Sequence, residues 1–272
     1  MSANIPWTHI SFNCLTGCTK YSDGCINCYA MPMAIRMASN PNPKISYKYR
    51  NGFKLTEHPK ELEKNIGGKN KIIFMNSMSD TFHQNVSESF LYEIVDFIRR
   101  HPQHIFQVLT KRANRLSIIK NYPSNVWLGV TVEKSDYLER IEYLMSTNAK
   151  VKWISCEPLL GPIESDKIKC LDWVVVGGES GPNCRPMNLE WARKIRDICE
   201  EQDTPFYFKQ AGGAGRDKGG KILDGKIYKQ WPKSLALNMR SEVQASLFNV
   251  DAVLLQKKKK KIRRRGNPQL IE

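Results

Sequence analysis

Long apolar runs are missing from this chain of 272 residues. No stretch reaches the roughly 18 consecutive apolar residues that a membrane span needs, so the sequence predicts no contact with the membrane interior. The opening "MSANIPWTHI" also lacks the basic and then apolar pattern of a signal sequence, which favours a cytoplasmic location. Thiols stay reduced there, so clustered members of the eight cysteines indicate metal or redox chemistry rather than disulfides.

The composition is that of an ordinary globular protein, with 41% hydrophobic and 25% charged residues. Its net charge is +15, and the stretch "KKKKKIRRR" at 257–265 contributes +8, which leaves +7 on the rest. A basic body with a basic tail suits a polyanion such as DNA or RNA. For the tail alone, a disordered solubilising segment is an equally good interpretation.

Short β-rich runs alternate with helical stretches from residue 71 onward. With the opening "WTHISFN" we expect seven strands, the others being "KIIFMNSMSD", "HIFQVLTK", "NVWLGVTVE", "AKVKWISCEPLL", "LDWVVVGGESG" and "TPFYFKQAGG". This alternation requires a parallel sheet, and the number of repeats predicts an α/β fold of the partial (β/α) TIM-type barrel kind. A doubly wound open sheet is the alternative. The near-continuous apolar runs indicate that both faces of the sheet are covered.

Helices are predicted over "VSESFLYEIVDFIRRH", near 112–120, over "SDYLERIEYLMST" and over "NLEWARKIRDICEEQ". Ser135 or Asp136 is expected to cap the third of these. The barrel domain is placed at 1–235 with a basic insertion at 38–70, where aromatic and cationic residues alternate. Such a pattern can stack bases and hold phosphates, or form an ordinary surface loop. A peripheral helix and a disordered basic tail are expected over 236–272.

The predicted strands finish in polar or glycine residues. The candidates at these strand ends are Ser77, Ser79, Asp80, Thr131, Glu133, Glu157, Gly177, Gly178, Glu179 and Lys209. Five further residues of functional types also end these strands: Thr110, Lys111, Arg112, Cys156 and Gln210. Active sites of α/β barrels lie at the carboxyl ends of the strands. The sequence therefore predicts a site at that face, and the cysteine-rich loop after the first strand should open onto it.

The cysteine-rich loop, "TGCTKYSDGCINCYA" at 16–30, places Cys18, Cys25 and Cys28 within eleven residues. A structural zinc site, a disulfide pair and an iron–sulfur cluster are all compatible with this clustering. Zinc ribbons usually pair two C-x₂-C turns, whereas the pair Cys25 and Cys28 has no such partner nearby, and Cys14 is poorly spaced for one. A [4Fe–4S] cluster held by three cysteines leaves one iron open for another ligand.

The chain from residue 7 to about 213 resembles a phage-associated radical S-adenosylmethionine-like family and, more remotely, spore photoproduct lyase, a radical enzyme that repairs DNA. The stretches that carry this resemblance are the cysteine-rich loop, "SMSDTFH", "VLTKR", "WLGVTVE", "ISCEPLLGPI", "WVVVGGESG", "RPMNLEWARKIRD" and "PFYFKQ". The family pattern G-C-x₆-C-x₂-C-Y-A maps onto Cys18, Cys25 and Cys28 as cluster ligands, and Cys14 falls outside it. The six residues between the first two cysteines depart from the common C-x₃-C-x₂-C.

The resemblance also implies where S-adenosylmethionine lies. Its methionine amine would meet the end of the second strand, at Ser77, Ser79 and Asp80. Its ribose would lie near Thr131 and Glu133, and its adenine near Gly177 and Gly178. Alternatively, Asp80 caps the following helix, and Gly177 and Gly178 form a plain turn. Glu157, Glu179 and Lys209 are candidates for positioning substrate or moving protons, with salt bridges across the barrel mouth as the alternative.

The expected function is therefore a cytoplasmic radical enzyme that acts on a nucleic acid or nucleotide. An external donor reduces a [4Fe–4S] cluster, S-adenosylmethionine is cleaved, and the 5′-deoxyadenosyl radical abstracts a substrate hydrogen. The chief alternative is a non-catalytic nucleic-acid-binding protein with a structural zinc at the same cysteines. A second alternative keeps the cluster but takes a protein or small-molecule substrate.

Overall fold

Two sheets organise the protein, which is described here over residues 5–234 from a computed structural model. The strands in this range are β1 (Ile10–Phe12), β2 (Leu15–Thr16), β3 (Thr56–Glu57), β4 (Ile72–Met75), β5 (Ile105–Thr110), β6 (Val126–Thr131), β7 (Val151–Cys156), β8 (Trp173–Gly177) and β9 (Phe206–Gln210). Seven form one parallel sheet in the order β1-β4-β5-β6-β7-β8-β9, and β2 pairs with β3 antiparallel. The large sheet curls into a half-barrel.

The strand order decides between the two predicted architectures. A doubly wound sheet reverses its strand order at a switch point near its middle. Here the order of the seven strands follows the chain from one edge to the other. The partial barrel is thus confirmed at the level of a parallel α/β half-barrel, all seven predicted strands are present, and the doubly wound alternative is wrong.

Five α-helices lie in the described residues: α1 (Ala30–Ala38), α2 (Pro43–Lys48), α3 (Glu88–Arg99), α4 (Glu139–Met145) and α5 (Leu189–Glu201). Short 3₁₀ helices cover Asp23–Cys25, Pro59–Glu61, Ala113–Ile118, Ser135–Tyr137 and Asp166–Cys170. The helix expected near 112–120 is therefore a 3₁₀ helix. Neither Ser135 nor Asp136 caps α4, because Ser135 Oγ donates to Pro162 O over 2.7 Å and Asp136 pairs with Lys134.

Successive side chains of a strand point to opposite faces of the large sheet, so the protein has one hydrophobic core on each face. One side chain in two packs against α3, α4 and α5, as on the outside of a barrel. The opposite, inner face carries mostly aromatic residues: Trp7, Ile72, Phe74, Trp127, Val151, Trp153, Trp173, Val175, Tyr207 and Trp231. Each such side chain contributes about 1.5–3 kcal/mol when fully buried. Gly129 is required within this cluster, because a Cβ there would lie 2.4 Å from Cε2 of Trp153.

The inner face changes character along the strands. Beyond the aromatic layer, the same inward-facing rows continue with Ser11, Thr131, Ser155 and Lys209 toward the carboxyl ends. The aromatic layer therefore closes the lower half of the half-barrel, and a polar wall remains above it. This places the open space at the carboxyl ends of the strands.

The insertion at 38–70 packs beside the cysteine-rich loop. Its strand β3 pairs with β2, and Cys18 N donates to Phe53 O over 3.1 Å. Gly17 has φ +78°, and a Cβ there would lie 2.3 Å from Lys54 O, so only glycine permits this approach. The aromatic residues of the insertion divide, since Tyr49 is buried against α1 and Tyr47 is exposed beneath Arg50.

Two further predictions concern the ends of the chain and the membrane. The predicted peripheral helix and basic tail over 236–272 lie outside the described residues. Among residues 5–234, no helix combines the length and apolar character needed to cross a membrane.

Candidate functional site

A cavity of about 480 Å³ opens at the carboxyl ends of the strands. This volume falls in the range of about 300–1,000 Å³ that is usual for small-molecule sites. Nine of the thirteen predicted site residues line it: Cys18, Cys25, Cys28, Ser77, Ser79, Asp80, Thr131, Glu157 and Lys209. Glu133, Gly177, Gly178 and Glu179 are absent from its wall. The structure thus brings together residues as distant along the chain as Cys18 and Lys209.

Three free thiols, those of Cys18, Cys25 and Cys28, border this cavity. They lie on the loop between β2 and α1, which also contains the 3₁₀ helix Asp23–Cys25. Cys14 is separate from them, because it is fully buried in the outer core and its Sγ donates to Asn76 Oδ1 over 3.5 Å. Cys14 therefore lies outside the cavity, and the ligand set of Cys18, Cys25 and Cys28 stays a prediction.

The donor set of the cavity suits an iron–sulfur cluster, since thiolates are the usual ligands of such clusters. Across the described part of the chain, no three cysteine, histidine or carboxylate side chains converge as ligands of one metal ion. Burial raises the pKa of the Cys18 thiol to about 11, with Asp80 adding to this and Arg112 opposing it. A bound metal would therefore have to displace a proton from Cys18.

Asp80 is held by four protein donors. Its Oδ1 accepts from Phe82 N (2.9 Å) and Thr110 Oγ1 (2.6 Å), and its Oδ2 accepts from Lys111 N (3.2 Å) and Arg112 Nη1 (3.1 Å). The predicted alternative, a helix cap, is wrong, because α3 begins at Glu88 and Ser87 caps it. An ammonium group of a ligand could bind this carboxylate only by displacing one of its four donors.

Arg112 connects Asp80 to the cysteine-rich loop. Its Nη1 lies 3.7 Å from Cys18 Sγ, and its Nη2 donates to both the carbonyl and the hydroxyl oxygen of Thr19 over 3.0 Å. His83 adds a hydrogen bond between Nε2 and Thr19 Oγ1 at 2.8 Å. Arg112 was not selected as a site residue from the sequence. Its only signal there was its place directly after the strand run "VLTK".

Glu133 also holds the cysteine-rich loop, and its position differs from the predicted contact with the ribose of S-adenosylmethionine. Its carboxylate is completely buried, accepts from Arg140 Nη1 over 2.8 Å and accepts a short hydrogen bond from Ser22 Oγ. Gly24 lies directly on it, since a Cβ there would be 2.7 Å from Glu133 Oε1. Glu133 therefore lies beneath the cysteine-rich loop and does not reach the cavity, where a ribose contact would require it.

Glu179 anchors the loop from a third strand end. It accepts from Arg185 Nη2 (2.7 Å) and from Asn27 Nδ2 (3.0 Å), and Arg185 Nη2 also donates to Asp23 O (2.9 Å). Burial opposes ionisation of Glu179, but the hydrogen bonds from Arg185 outweigh it and hold the pKa of Glu179 below its ordinary value. Glu179 therefore forms a salt bridge, but its partner lies in the loop after the same strand and not across the barrel mouth.

The carboxylates of Asp80, Glu133 and Glu179 are held in the same way. Each follows a different strand of the sheet (β4, β6 and β8), and each is paired with an arginine. Each pair also contacts the cysteine-rich loop through a hydrogen bond to Thr19, Ser22, Asp23 or Asn27. We call these the three anchor pairs. They fix the loop that carries the thiols over the open end of the half-barrel.

Gly177 and Gly178 are required by the protein's own packing. A Cβ at Gly177 would lie 2.8 Å from Glu157 Oε1, and one at Gly178 would lie 2.1 Å from Ala211 O. Both glycines thus permit close approach of neighbouring chain segments. The adenine contact predicted for them is not needed to explain these residues, and neither lines the cavity.

The wall of the cavity carries one internal ion pair. Lys209 Nζ lies 2.8 Å from Glu157 Oε1, and Ser155 Oγ donates to Glu157 Oε2 over 3.2 Å. Lys209 also lies over the ring of Trp7, at 5.7 Å from its centroid. Unlike the anchor pairs, both partners face the cavity and can contact a ligand.

These observations define the class: a parallel α/β half-barrel protein with a three-cysteine cavity at the carboxyl ends of its strands. The chain belongs to the family described as "Protein of unknown function (DUF5131)", whose family model matches residues 2–232. No curated protein and no solved structure matches the chain.

Proposed function

We propose that this protein is a radical S-adenosylmethionine enzyme that modifies or repairs a nucleic acid or nucleotide. The observation that carries the proposal is the cavity itself. Three free thiols, and no other cysteine, border it at the carboxyl ends of a parallel half-barrel. Cys18, Cys25 and Cys28 would hold a [4Fe–4S] cluster, and the cluster together with S-adenosylmethionine supplies the radical chemistry when bound.

The three anchor pairs hold the ligand loop in place before any cofactor binds. Such preorganisation reduces the conformational entropy that ordering the loop would cost on binding. Arg112 also places a positive charge 3.7 Å from Cys18 Sγ, and this charge favours the thiolate form that a metal requires. Arg112 thereby opposes the effect of burial, which raises the pKa of Cys18, and a bound metal would still have to displace the thiol proton.

The remaining cavity residues supply contacts for S-adenosylmethionine and substrate. Hydroxyl groups of Ser77, Ser79 and Thr131 border the space, and the ion pair of Glu157 with Lys209 lies on its wall. Glu157 and Lys209 can orient a polar substrate group or exchange a proton with it. The aromatic layer below excludes water from that side, which protects a reactive radical from side reactions.

The net charge of +15 supports a nucleic acid or nucleotide as substrate. In the insertion, Arg50 lies 4.0 Å from the ring centroid of exposed Tyr47, a combination of cation and ring that can accept phosphate and base. Reductive cleavage of S-adenosylmethionine takes up an electron, so the proposal includes an external electron donor.

The test begins with anaerobic purification of the full chain and measurement of iron, acid-labile sulfide and zinc. We expect iron and sulfide in equal amounts, with the broad visible absorbance of a thiolate-bound cluster. The protein is then incubated with dithionite, S-adenosylmethionine and DNA or RNA. Mass spectrometry should detect 5′-deoxyadenosine and a modified nucleoside. Stoichiometric zinc without iron would reject the proposal and support the nucleic-acid-binding alternative.

A further inference from the structure

A glycine-rich loop at 211–220, "AGGAGRDKGG", follows β9 and extends one lysine into the cavity. Its two ends lie close together, because Gly212 N donates to Lys218 O over 2.8 Å and a Cβ at Gly219 would lie 2.1 Å from Gly212 O. The loop is therefore closed by its own glycines. The lysine that it presents, Lys218, belongs to none of the interactions described above.

The backbone of Lys218 is in an unfavourable conformation. Its φ is +52°, in the left-handed region that most side chains avoid. Five non-glycine residues within 5–234 have positive φ, and the other four are Asn or Asp, which tolerate this region: Asn70, Asn76, Asp203 and Asp224. Lys218 is thus the exception. Strain of this kind is often found at binding sites, where a required side-chain position outweighs its cost.

The charges of the cavity leave Lys218 without a counter-ion. Five charged side chains line the wall: Asp80, Lys111, Glu157, Lys209 and Lys218. Arg112 pairs with Asp80, and Lys209 pairs with Glu157. Lys111 lies 3.8 Å from Glu133, which Arg140 also shares. No described carboxylate forms an ion pair with Lys218, because Glu157, the one carboxylate whose charge acts on it, is paired with Lys209. Burial and the charge of Lys209 lower the pKa of the Lys218 ammonium, and Glu157 opposes this only in part.

We infer that Lys218 binds a phosphate group of the substrate inside the cavity. The inference deepens the proposed function, on which the identification of the ligand as a nucleotide rests. A partly buried cation without a counter-ion is stabilised by an anion that arrives with the ligand. Apolar side chains of Phe53 and Phe74 line the same cavity and suit the base of a nucleotide.

The position of Lys218 favours the substrate over S-adenosylmethionine as the source of the anion. Asp80 and Arg112, which hold Cys18, follow β4 and β5. Lys218 instead follows β9, at the opposite edge of the sheet from β1. A phosphate at Lys218 would thus approach the cavity from the side away from Cys18.

The test uses full-length, anaerobically purified protein and calorimetric titration with thymidine 3′,5′-bisphosphate, with thymidine as the uncharged probe. We expect Lys218→Gln to weaken bisphosphate binding by about tenfold or more and to leave thymidine binding unchanged. Lys226→Gln, an exposed lysine in the following turn, removes the same charge and should change the affinity by less than about twofold. Wild-type affinity in Lys218→Gln would overturn the inference.

Two further measurements distinguish a phosphate site from a purely structural role of Lys218 and from a contact with S-adenosylmethionine. Lys218→Gly keeps the left-handed backbone without strain, so it should unfold at or above the wild-type temperature and still lose bisphosphate affinity. A loss of affinity in Lys218→Gln confined to S-adenosylmethionine would overturn the inference and identify the methionine carboxylate as the anion. Protein without iron that retains Lys218-dependent bisphosphate binding would reject the radical function but support the phosphate site.

Discussion

Replacing Asp80 by Asn tests the anchor pairs most directly. The variant keeps the shape of the side chain, and its Oδ1 can still accept from Phe82 N and Thr110 Oγ1. Its amide nitrogen, however, would face Lys111 N and Arg112 Nη1, two donors that now lose their acceptor. The side chains of Asp80 and Arg112 are only 9% and 3% exposed. Breaking a buried pair of this kind costs about 3–5 kcal/mol, because one charge remains uncompensated.

The magnitude is large compared with the total stability of a domain, about 5–15 kcal/mol. For a domain of this size, a loss of about 3 kcal/mol lowers the unfolding temperature by about 6–12 °C. We also expect a loss of bound iron, because Arg112 holds Cys18 and Thr19 in place. Thermal unfolding followed by circular dichroism, together with iron content per chain, measures both effects.

The matched control is Asp96→Asn, which removes the same charge from an exposed ion pair with Arg99. Exposed pairs contribute about 0–1 kcal/mol, so this variant should unfold within a few degrees of the wild type. A different result would refute the reasoning: an unchanged unfolding temperature and iron content in Asp80→Asn, with affinity for S-adenosylmethionine about tenfold lower. That pattern would show that Asp80 contacts the methionine amine, as the resemblance implies.

Three more predictions concern other parts of the chain. Cys18→Ala, Cys25→Ala and Cys28→Ala should each lose most of the iron, whereas Cys14→Ala should keep it; full iron in Cys18→Ala contradicts the ligand set. Deleting 257–272 should weaken binding to single-stranded DNA and flatten its salt dependence, and an unchanged salt slope in a filter-binding assay favours the solubilising interpretation. Burial lowers the pKa of His58 to about 4, so the unfolded chain binds its proton first and stability should fall by about 2–3 kcal/mol as the pH drops from about 6.5 to 4. His58→Gln should remove that dependence in urea unfolding, and an identical pH profile in the variant would contradict it.

Several parts of the site were accessible from the sequence because their signals are local. Short segments of sequence are enough to show the cysteine spacing, the apolar runs and the polar residues after each strand. These signals identified nine residues that line the cavity. Whether a polar residue faces the cavity or the protein interior depends on distant partners. Glu133 binds Ser22, which is 111 positions away, and Glu179 binds Asn27, which is 152 positions away. No local pattern reports such pairs, so the sequence did not show that these two carboxylates hold the cysteine-rich loop.

Two residues were not chosen as site residues from the sequence, for related reasons. Arg112 follows a strand like many surface arginines, and only folding brings it to Asp80 and Cys18. Lys218 lies in a glycine-rich loop whose composition predicts a turn and nothing more. Its importance emerges from a positive φ and from the charges around it, both of which are properties of the folded chain.

By itself, the sequence determined the seven strands, their parallel arrangement and the face that carries the thiols. These follow from hydrophobic periodicity and chain connectivity, which act over short distances. The tertiary structure alone decided the unbroken strand order, the aromatic layer that closes the lower half-barrel and the division of charged residues into anchor pairs and cavity wall. The physical reason is that a charge is stabilised by whichever opposite charge folding brings within a few ångströms, and sequence separation does not limit that distance.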